Sequence, residues 1–123
     1  MKLFSHSSII LPVPNVKEAS EYYRDVLGFS ISFLWQDPPT YGVVNREDSV
    51  GLHFSESSAP LYTDHAKLYI FVNNPDTVFE EYEKSGATII EPINDSDYKM
   101  REFVIEDLNG YKIVIGKGIQ YDH

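Results

Sequence analysis

The sequence contains no cysteine, so disulfide bonds, thiolate metal ligands and cysteine nucleophiles are all excluded. An absence of cysteine also fits a cytoplasmic protein, and we expect that location. No apolar run approaches the roughly 18 residues that a membrane-spanning helix needs. The short apolar patch near the amino terminus lacks a small-residue cleavage site, so no signal peptide is predicted.

Basic residues are also scarce. Ten lysine and arginine residues stand against nineteen aspartate and glutamate residues, which gives a formal net charge of −9. This balance disfavours nucleic acids and anionic membranes as partners, and it favours a cationic ligand. Aromatic residues make up 14% of the chain and include nine tyrosines. Tyrosine and tryptophan belong to cores but also line sites for flat ligands.

Residues 13–29 carry the pattern around which the chain is organised. Apolar side chains recur there at helical spacing, at Val16, Ala19, Tyr23, Val26 and Leu27. Asn15 and Glu18 form a capping-box pattern at the start, and Gly28 follows where a left-handed residue is wanted. The sequence therefore predicts a helix over residues 16–27, followed by an alternating strand over residues 29–35.

A second copy of this pattern begins near residue 67. An apolar strand over 67–72 leads into a helix over 75–85, which starts at Asn74-Pro75 and ends at Gly86, before a strand over 87–91. Val13 matches Val72 at an offset of 59 residues. Repetition of strand–helix–strand predicts a tandem repeat of one structural unit.

The remaining segments complete two β-α-β-β-β modules. Further strands are predicted over 3–13, 41–45, 49–55, 98–106 and 111–115. Loops are predicted at 36–40, 94–97 and the Asn-Gly turn 107–110, and the tail 116–123 is expected to fray. We therefore predict an α+β protein, a single domain over 1–123 made of modules at about 1–56 and 66–118 joined by a linker at 57–65.

Several motifs match a known family in order and spacing. They are D-V-L-G-F (25–29), the D-x-N-G turn (107–110), G-F-S-I-S-F-L (28–34), Y-G-V-V-N-R-E-D (41–48) and R-E-F-V-I-E-D (101–107). Together they resemble the vicinal oxygen chelate superfamily of glyoxalases, bleomycin-resistance proteins and extradiol dioxygenases, and are most similar to the bleomycin-resistance proteins. The resemblance implies two tandem βαβββ modules forming curved mixed sheets around a cleft, often assembled as a homodimer.

The resemblance also implies where a metal would bind. Enzymes of the superfamily hold a divalent metal with His and Glu on four strands, and three of those positions here are Ser8, Lys67 and Val114. Only the position near His53 carries a residue able to bind a metal. Catalytic metal sites need about three such ligands, and a lysine at 67 would repel a cation beside it. We therefore expect no metal and no cofactor.

Two other readings remain open. Displaced ligands such as His6, His53 and Glu102 would make the protein a metal-dependent lyase, thiol transferase or dioxygenase of the same superfamily. A regulatory or immunity-type interaction module is a third class. No Walker loop, nucleophile elbow or dinucleotide fingerprint is present. Glu56, Glu102 and Glu106 are interpreted as solvated surface carboxylates.

Strand alternation predicts the lining of the expected cleft. It places Tyr69 and Phe71 on the same side as Lys67, opposite Leu68 and Ile70. The predicted ligand-binding residues are Phe33, Trp35, Tyr41, His53, Tyr69, Phe71, Tyr98, Arg101 and Glu102. We expect non-catalytic binding or sequestration of a small planar or cationic molecule, of the kind that gives bleomycin resistance.

Overall fold

The computed structural model describes residues 1–119 and divides into two compact units, Met1–Leu61 and Tyr62–His123. Each unit contains one helix and one four-stranded mixed sheet, as the repeated sequence pattern predicted. The boundary between the units lies inside the segment 57–65 that the sequence predicts as a linker. Neither of the helices described within residues 1–119 has the length and apolar character needed to cross a membrane.

The first unit has the predicted order of elements. These are β1 (Ile9–Val13), α1 (Val16–Asp25), β2 (Ser30–Trp35), β3 (Tyr41–Arg46) and β4 (Val50–Glu56). The sheet order is β1-β4-β3-β2, with β1 parallel to β4 and the other pairs antiparallel. Strands β2, β3 and β4 therefore form an antiparallel meander, and β1 joins the free edge of β4 in parallel.

Capping and burial explain α1. The Asn15 side chain accepts a hydrogen bond from the Glu18 backbone N–H at 2.9 Å, which satisfies one free donor of the first turn. Gly28 has φ 78°, and the Phe29 N–H donates to the Tyr23 carbonyl at 2.9 Å, so the chain turns away from the helix at a left-handed glycine. The buried Tyr23 ring packs against the Phe54 ring of β4 at 5.0 Å, which anchors the helix on its sheet.

The second unit repeats this architecture. It contains β5 (Leu68–Phe71), α2 (Pro75–Ser85), β6 (Thr88–Asp95), β7 (Met100–Glu106) and β8 (Lys112–Gly118), in sheet order β5-β8-β7-β6. Asn74 caps the start of α2 through the Thr77 N–H at 3.1 Å, and Gly86 ends the helix at φ 85°. The Phe103 ring of β7 packs edge-on against Phe79 of α2 at 5.1 Å.

Three strand boundaries differ from the predictions by three or more residues, in each case because of pairing. The ladder of β1 with β4 begins at Ile9, so the strand predicted from residue 3 is shorter. The predicted loop 94–97 begins inside β6, because Asn94 and Asp95 pair with β7. The predicted frayed tail begins inside β8, because Gly116 to Gly118 also pair with β7. Residues 120–123 of that tail lie outside the described residues.

Candidate functional site

In the first unit, the residues that face α1 define which residues face away from it. A Cβ atom on Gly42 would lie 3.0 Å from the Val16 Cγ1 atom of α1, so Gly42 points toward the helix. Phe54 also points toward α1, where it contacts Tyr23. Because side chains alternate along strands, their neighbours Tyr41 and His53 point to the opposite side. We call the side of each sheet turned away from its own helix the helix-distal face.

Two cross-strand rows occupy the helix-distal face of the first unit. In register order they are Ile10–His53–Val43–Phe33 and Pro12–Ser55–Tyr41–Trp35. Phe33 and Trp35 are neighbours on β2, and their rings stack with centroids 6.4 Å apart. These two side chains are 48% and 56% exposed, so they present a flat apolar surface that the first unit does not bury.

Tyr41 and His53 form a polar pair between the two rows. The Tyr41 Oη and His53 Nδ1 atoms share a hydrogen bond of 2.6 Å. Their rings meet edge-on, with centroids 5.5 Å apart. This bond orients the imidazole on the helix-distal face and leaves its Nε2 atom as the ring's second polar group.

The second unit has an equivalent helix-distal face. Phe103 packs against α2, so Glu102 and Val104 on either side of it point away from that helix. The rows there are Tyr69–Val114–Val104–Glu91 and Phe71–Gly116–Glu102–Asn94. The Tyr69 and Phe71 rings stack at 4.5 Å, and Phe71 is 69% exposed. The prediction that Tyr69 and Phe71 lie opposite Leu68 and Ile70 agrees with this register.

Glu102 is the central polar residue of this face. It is only 7% exposed, and its carboxylate accepts a hydrogen bond from the Tyr69 hydroxyl at 2.6 Å. The Tyr98 hydroxyl, from the turn before β7, donates to the second carboxylate oxygen. Burial raises the pKa of the Tyr69 hydroxyl, and the hydrogen bond to Glu102 raises it further. The interpretation of Glu102 as a solvated surface carboxylate is therefore wrong, because two tyrosines and the sheet enclose it.

Sequence reasoning missed Gly116, which makes room for this arrangement. A Cβ atom at this position would lie 2.5 Å from the Tyr69 Oη and 2.6 Å from the Glu102 Cβ. Only a residue without a side chain lets the Tyr69 hydroxyl pass β8 and reach Glu102. A glycine inside the otherwise apolar strand K-I-V-I-G is the signal that marks such a close approach.

Arg101 lies on the other face of β7 from Glu102. Its Nε and Nη2 atoms donate to the Asp76 carboxylate of α2 at 2.9 and 2.8 Å, and its Nη1 atom donates to Asp95 at 2.8 Å. These hydrogen bonds raise the pKa of Arg101 and lower that of Asp76. The structure therefore does not bring Arg101 and Glu102 together on one face. Arg101 and Lys117 instead border a cleft of about 320 Å³ at the start of α2.

The positions that the resemblance marks for a metal do not suit one. The Ser8 hydroxyl donates to the Gly51 carbonyl at 2.9 Å, Lys67 is exposed, and Val114 is a buried apolar residue between Tyr69 and Val104. Within residues 1–119, no three His, Cys, Asp or Glu side chains cluster closely enough to hold a metal ion.

The displaced ligands do not assemble either. His6 precedes β1 in an exposed segment, where its Nδ1 atom meets the Ser5 hydroxyl at 2.8 Å. His53 is bonded to Tyr41, and Glu102 is bonded to two tyrosines. The described donor set therefore does not fit a metal.

Comparison with known proteins identifies the family to which this architecture belongs. The family model described as Glyoxalase/Bleomycin resistance protein/Dioxygenase superfamily matches residues 5–115. The chain belongs to this superfamily. The predicted family and fold class are thus confirmed. The search of curated proteins found no match to the sequence of this chain.

Solved structures of the same fold include proteins from several bacteria. A bleomycin-binding protein from bleomycin-producing Streptomyces verticillus, complexed with copper(II)-bleomycin, has a TM-score of 0.80 and 24% identity over 96% of this chain and 99% of that chain. TioX from Micromonospora sp. ML1 has a TM-score of 0.79 and 17% identity over 94% of this chain and 100% of that chain. A glyoxalase/bleomycin resistance protein/dioxygenase from Nocardioides has a TM-score of 0.75 and 14% identity over 99% of this chain and 88% of that chain. At these identities, the likeness establishes the shared superfamily fold.

Proposed function

We propose that this protein binds a small, planar, cationic molecule and sequesters it without chemical change. The observation that carries the proposal is a stacked pair of aromatic rings on each helix-distal face, of which Phe33, Trp35 and Phe71 are exposed and Tyr69 is half-buried, accompanied in the second unit by a buried carboxylate. Phe33 and Trp35 form the pair in the first unit, and Tyr69 and Phe71 form it in the second.

Exposed aromatic pairs on one face of a sheet favour a flat ligand. Contiguous exposed apolar surface typically marks a binding site, because burying it on a ligand removes it from water. Aromatic faces also attract cations through the negative potential of the ring. On the helix-distal face of the first unit, Trp35 and Tyr41 stack on ligand rings, with Phe33 at the flank. On that of the second unit, Tyr69 and Phe71 stack on ligand rings, with Tyr98 at the flank. His53 and Glu102 supply the polar contacts.

The charge of the whole chain supports a cationic ligand. With a net charge of −9, the protein raises the local concentration of cations and speeds their association. The Streptomyces verticillus protein of the same fold was solved with copper(II)-bleomycin, which makes bleomycin the first ligand to test. The proposal extends to drug resistance by sequestration, to a cytoplasmic location and to a homodimer, which is the assembly that the family resemblance implies.

Titration with bleomycin tests the proposal directly. Trp35 is the only tryptophan, so its fluorescence reports on the helix-distal face of the first unit. We expect a saturable change in metal-free buffer. The titration is repeated with Cu²⁺, Zn²⁺, Ni²⁺, Mn²⁺ and Fe²⁺, each alone and with the drug. No response to the drug together with tight metal binding would instead favour the enzymatic reading.

Variants locate the site. Calorimetry should show that Trp35→Ala and Tyr69→Ala each weaken bleomycin binding about tenfold, which corresponds to ~1.4 kcal/mol of lost stacking. Tyr62→Ala is the matched control, because Tyr62 is 74% exposed but lies outside the strands. A double variant of Trp35 and Tyr69 that retains wild-type affinity, or full drug resistance in cells, would refute this site.

A further inference from the structure

We infer that Glu102 distinguishes charged from neutral ligands by binding a planar nitrogen-centred cation such as an amidinium group. Until the ligand binds, the Tyr98 hydroxyl occupies the position of that cation. The inference rests on the proposed function and names the chemistry of that same site. It makes Glu102 and Tyr98 the residues that determine specificity on the helix-distal face of the second unit.

Glu102 is a buried carboxylate whose described donors carry no positive charge. Both of its hydrogen bonds among residues 1–119 come from neutral phenol groups. Other carboxylates of the second unit have cationic partners: Asp76 and Asp95 bind Arg101, and Asp64 binds Lys112 at 2.7 Å. Burying a charge is costly unless it is paired. The Glu102 carboxylate is 7% exposed and lies beside aromatic rings, so it can bind a cation that the described chain does not supply.

The two phenols that bind Glu102 are held very differently. Tyr69 belongs to β5, stacks on Phe71 and passes over Gly116, so its hydroxyl is fixed by surrounding structure. Tyr98 is 68% exposed and lies in the turn before β7. Its hydroxyl can leave Glu102 and hydrogen-bond to water instead, so its displacement is the less costly of the two. Tyr69 thus orients the carboxylate, and Tyr98 covers the oxygen that a ligand would take.

A flat cation with N–H donors fits the position better than a neutral group. A cationic donor adds the Coulomb attraction of opposite charges to its hydrogen bonds, and this attraction is stronger where water is excluded. Phe71 neighbours Glu102 in the same cross-strand row, separated only by Gly116. A ring that stacks on Phe71 can therefore direct an attached amidinium toward the Glu102 carboxylate, because Gly116 places no side chain between them.

Two matched probes test this inference: naphthalene-2-carboxamidine, which is cationic, and naphthalene-2-carboxamide, which is neutral and nearly the same shape. Dissociation constants are measured by calorimetry at neutral pH on the full chain. We expect the wild type to bind the amidine about tenfold or more tightly than the amide. Glu102→Gln should reduce this ratio to about one, because it keeps the shape and removes the charge.

Two further variants make the result specific. Glu106→Gln removes the same charge from the same strand and face, about 13 Å away along β7, and should leave the ratio unchanged. Tyr98→Phe should strengthen amidine binding about threefold or more without a matching gain for the amide, because no hydroxyl has to be displaced. If Glu102→Gln does not fold, judged by circular dichroism, the Tyr98→Phe result decides.

The outcomes separate this inference from the proposed function. Equal binding of both probes, an unchanged ratio in Glu102→Gln, or no gain in Tyr98→Phe overturns the role of Glu102 and Tyr98, while bleomycin binding at the aromatic pairs stands. Absence of amidine binding alongside bleomycin binding also overturns it. Failure of bleomycin, amidine and amide together would defeat the proposed function as well.

Discussion

Gly116→Ala is the most direct perturbation of the second unit. The added Cβ would lie 2.5 Å from the Tyr69 Oη, 2.6 Å from the Glu102 Cβ and 2.8 Å from the Arg101 carbonyl oxygen. The added atom would force the Tyr69 hydroxyl off Glu102, and the Glu102 Cβ and the Arg101 backbone belong to β7 and cannot move without disturbing the sheet. The substitution therefore forces both the hydrogen bond and the ladder to adjust.

The expected cost follows from these two effects. Overpacking a well-packed site costs about 1–3 kcal/mol, and losing a hydrogen bond to a charged group costs about 1.5–3 kcal/mol. Because the two effects share one displacement, we expect the free energy of unfolding to fall by about 2–4 kcal/mol. Urea unfolding followed by far-ultraviolet circular dichroism measures this change.

Gly118→Ala provides the matched control on the same strand. Its nearest neighbour would be the Met100 Sδ atom at 4.0 Å, which is ordinary contact. Neither glycine has a positive φ, so alanine causes no backbone strain at either position. Gly118→Ala should be neutral or slightly stabilising, since it restricts the unfolded chain. A Gly116→Ala protein as stable as Gly118→Ala would refute the packing that positions Tyr69 against Glu102.

Two further predictions concern charge. Tyr69→Phe should lower the free energy of unfolding at pH 7–9 by up to about 1.5–3 kcal/mol. Because the pKa of Tyr69 is raised in the folded protein, its stabilising contribution is complete below the ordinary tyrosine pKa near 10 and is lost as the pH rises above it. In urea titrations the stability difference between the two proteins should therefore shrink as the pH rises through 10, and a constant difference would contradict the buried hydrogen bond. Arg101→Ala should lower the free energy of unfolding by less than about 1 kcal/mol, and by less still in 1 M salt, since the partners of Arg101 are half exposed. It should also leave bleomycin affinity unchanged. A loss of affinity as large as that of Trp35→Ala would contradict the placement of Arg101 on the helix-facing side.

Local patterns predicted the elements well because local interactions decide them. Asn15 and Asn74 cap the two helices, and Gly86 ends α2 with left-handed geometry, as their sequence positions indicated. Helix α1 ends at Asp25, two residues before the predicted end, and Gly28 is left-handed in the turn that follows. Strand boundaries were less predictable, because partners elsewhere set them. For example, β6 extends through Asp95 because its last residues pair with β7.

The chemistry around Glu102 required long-range register. Tyr69 is 33 residues away and reaches the carboxylate only because Gly116 lies between them in space. Nothing near Glu102 in the sequence signals that its carboxylate is buried. The grouping of Arg101 with Glu102 was avoidable, because adjacent residues of a strand point to opposite faces.

The cross-strand rows of the two units correspond position by position, so their polar residues can be compared directly. Register makes Tyr41 the counterpart of Glu102, and His53 the counterpart of Val114. The first unit therefore builds its polar pair from β3 and β4, whereas the second unit builds its pair from Tyr69 of β5 and Glu102 of β7. The same strand order thus carries a tyrosine–histidine pair in one unit and a tyrosine–glutamate pair in the other, so that an engineer can change the polar groups of one unit while those of the other stay as they are.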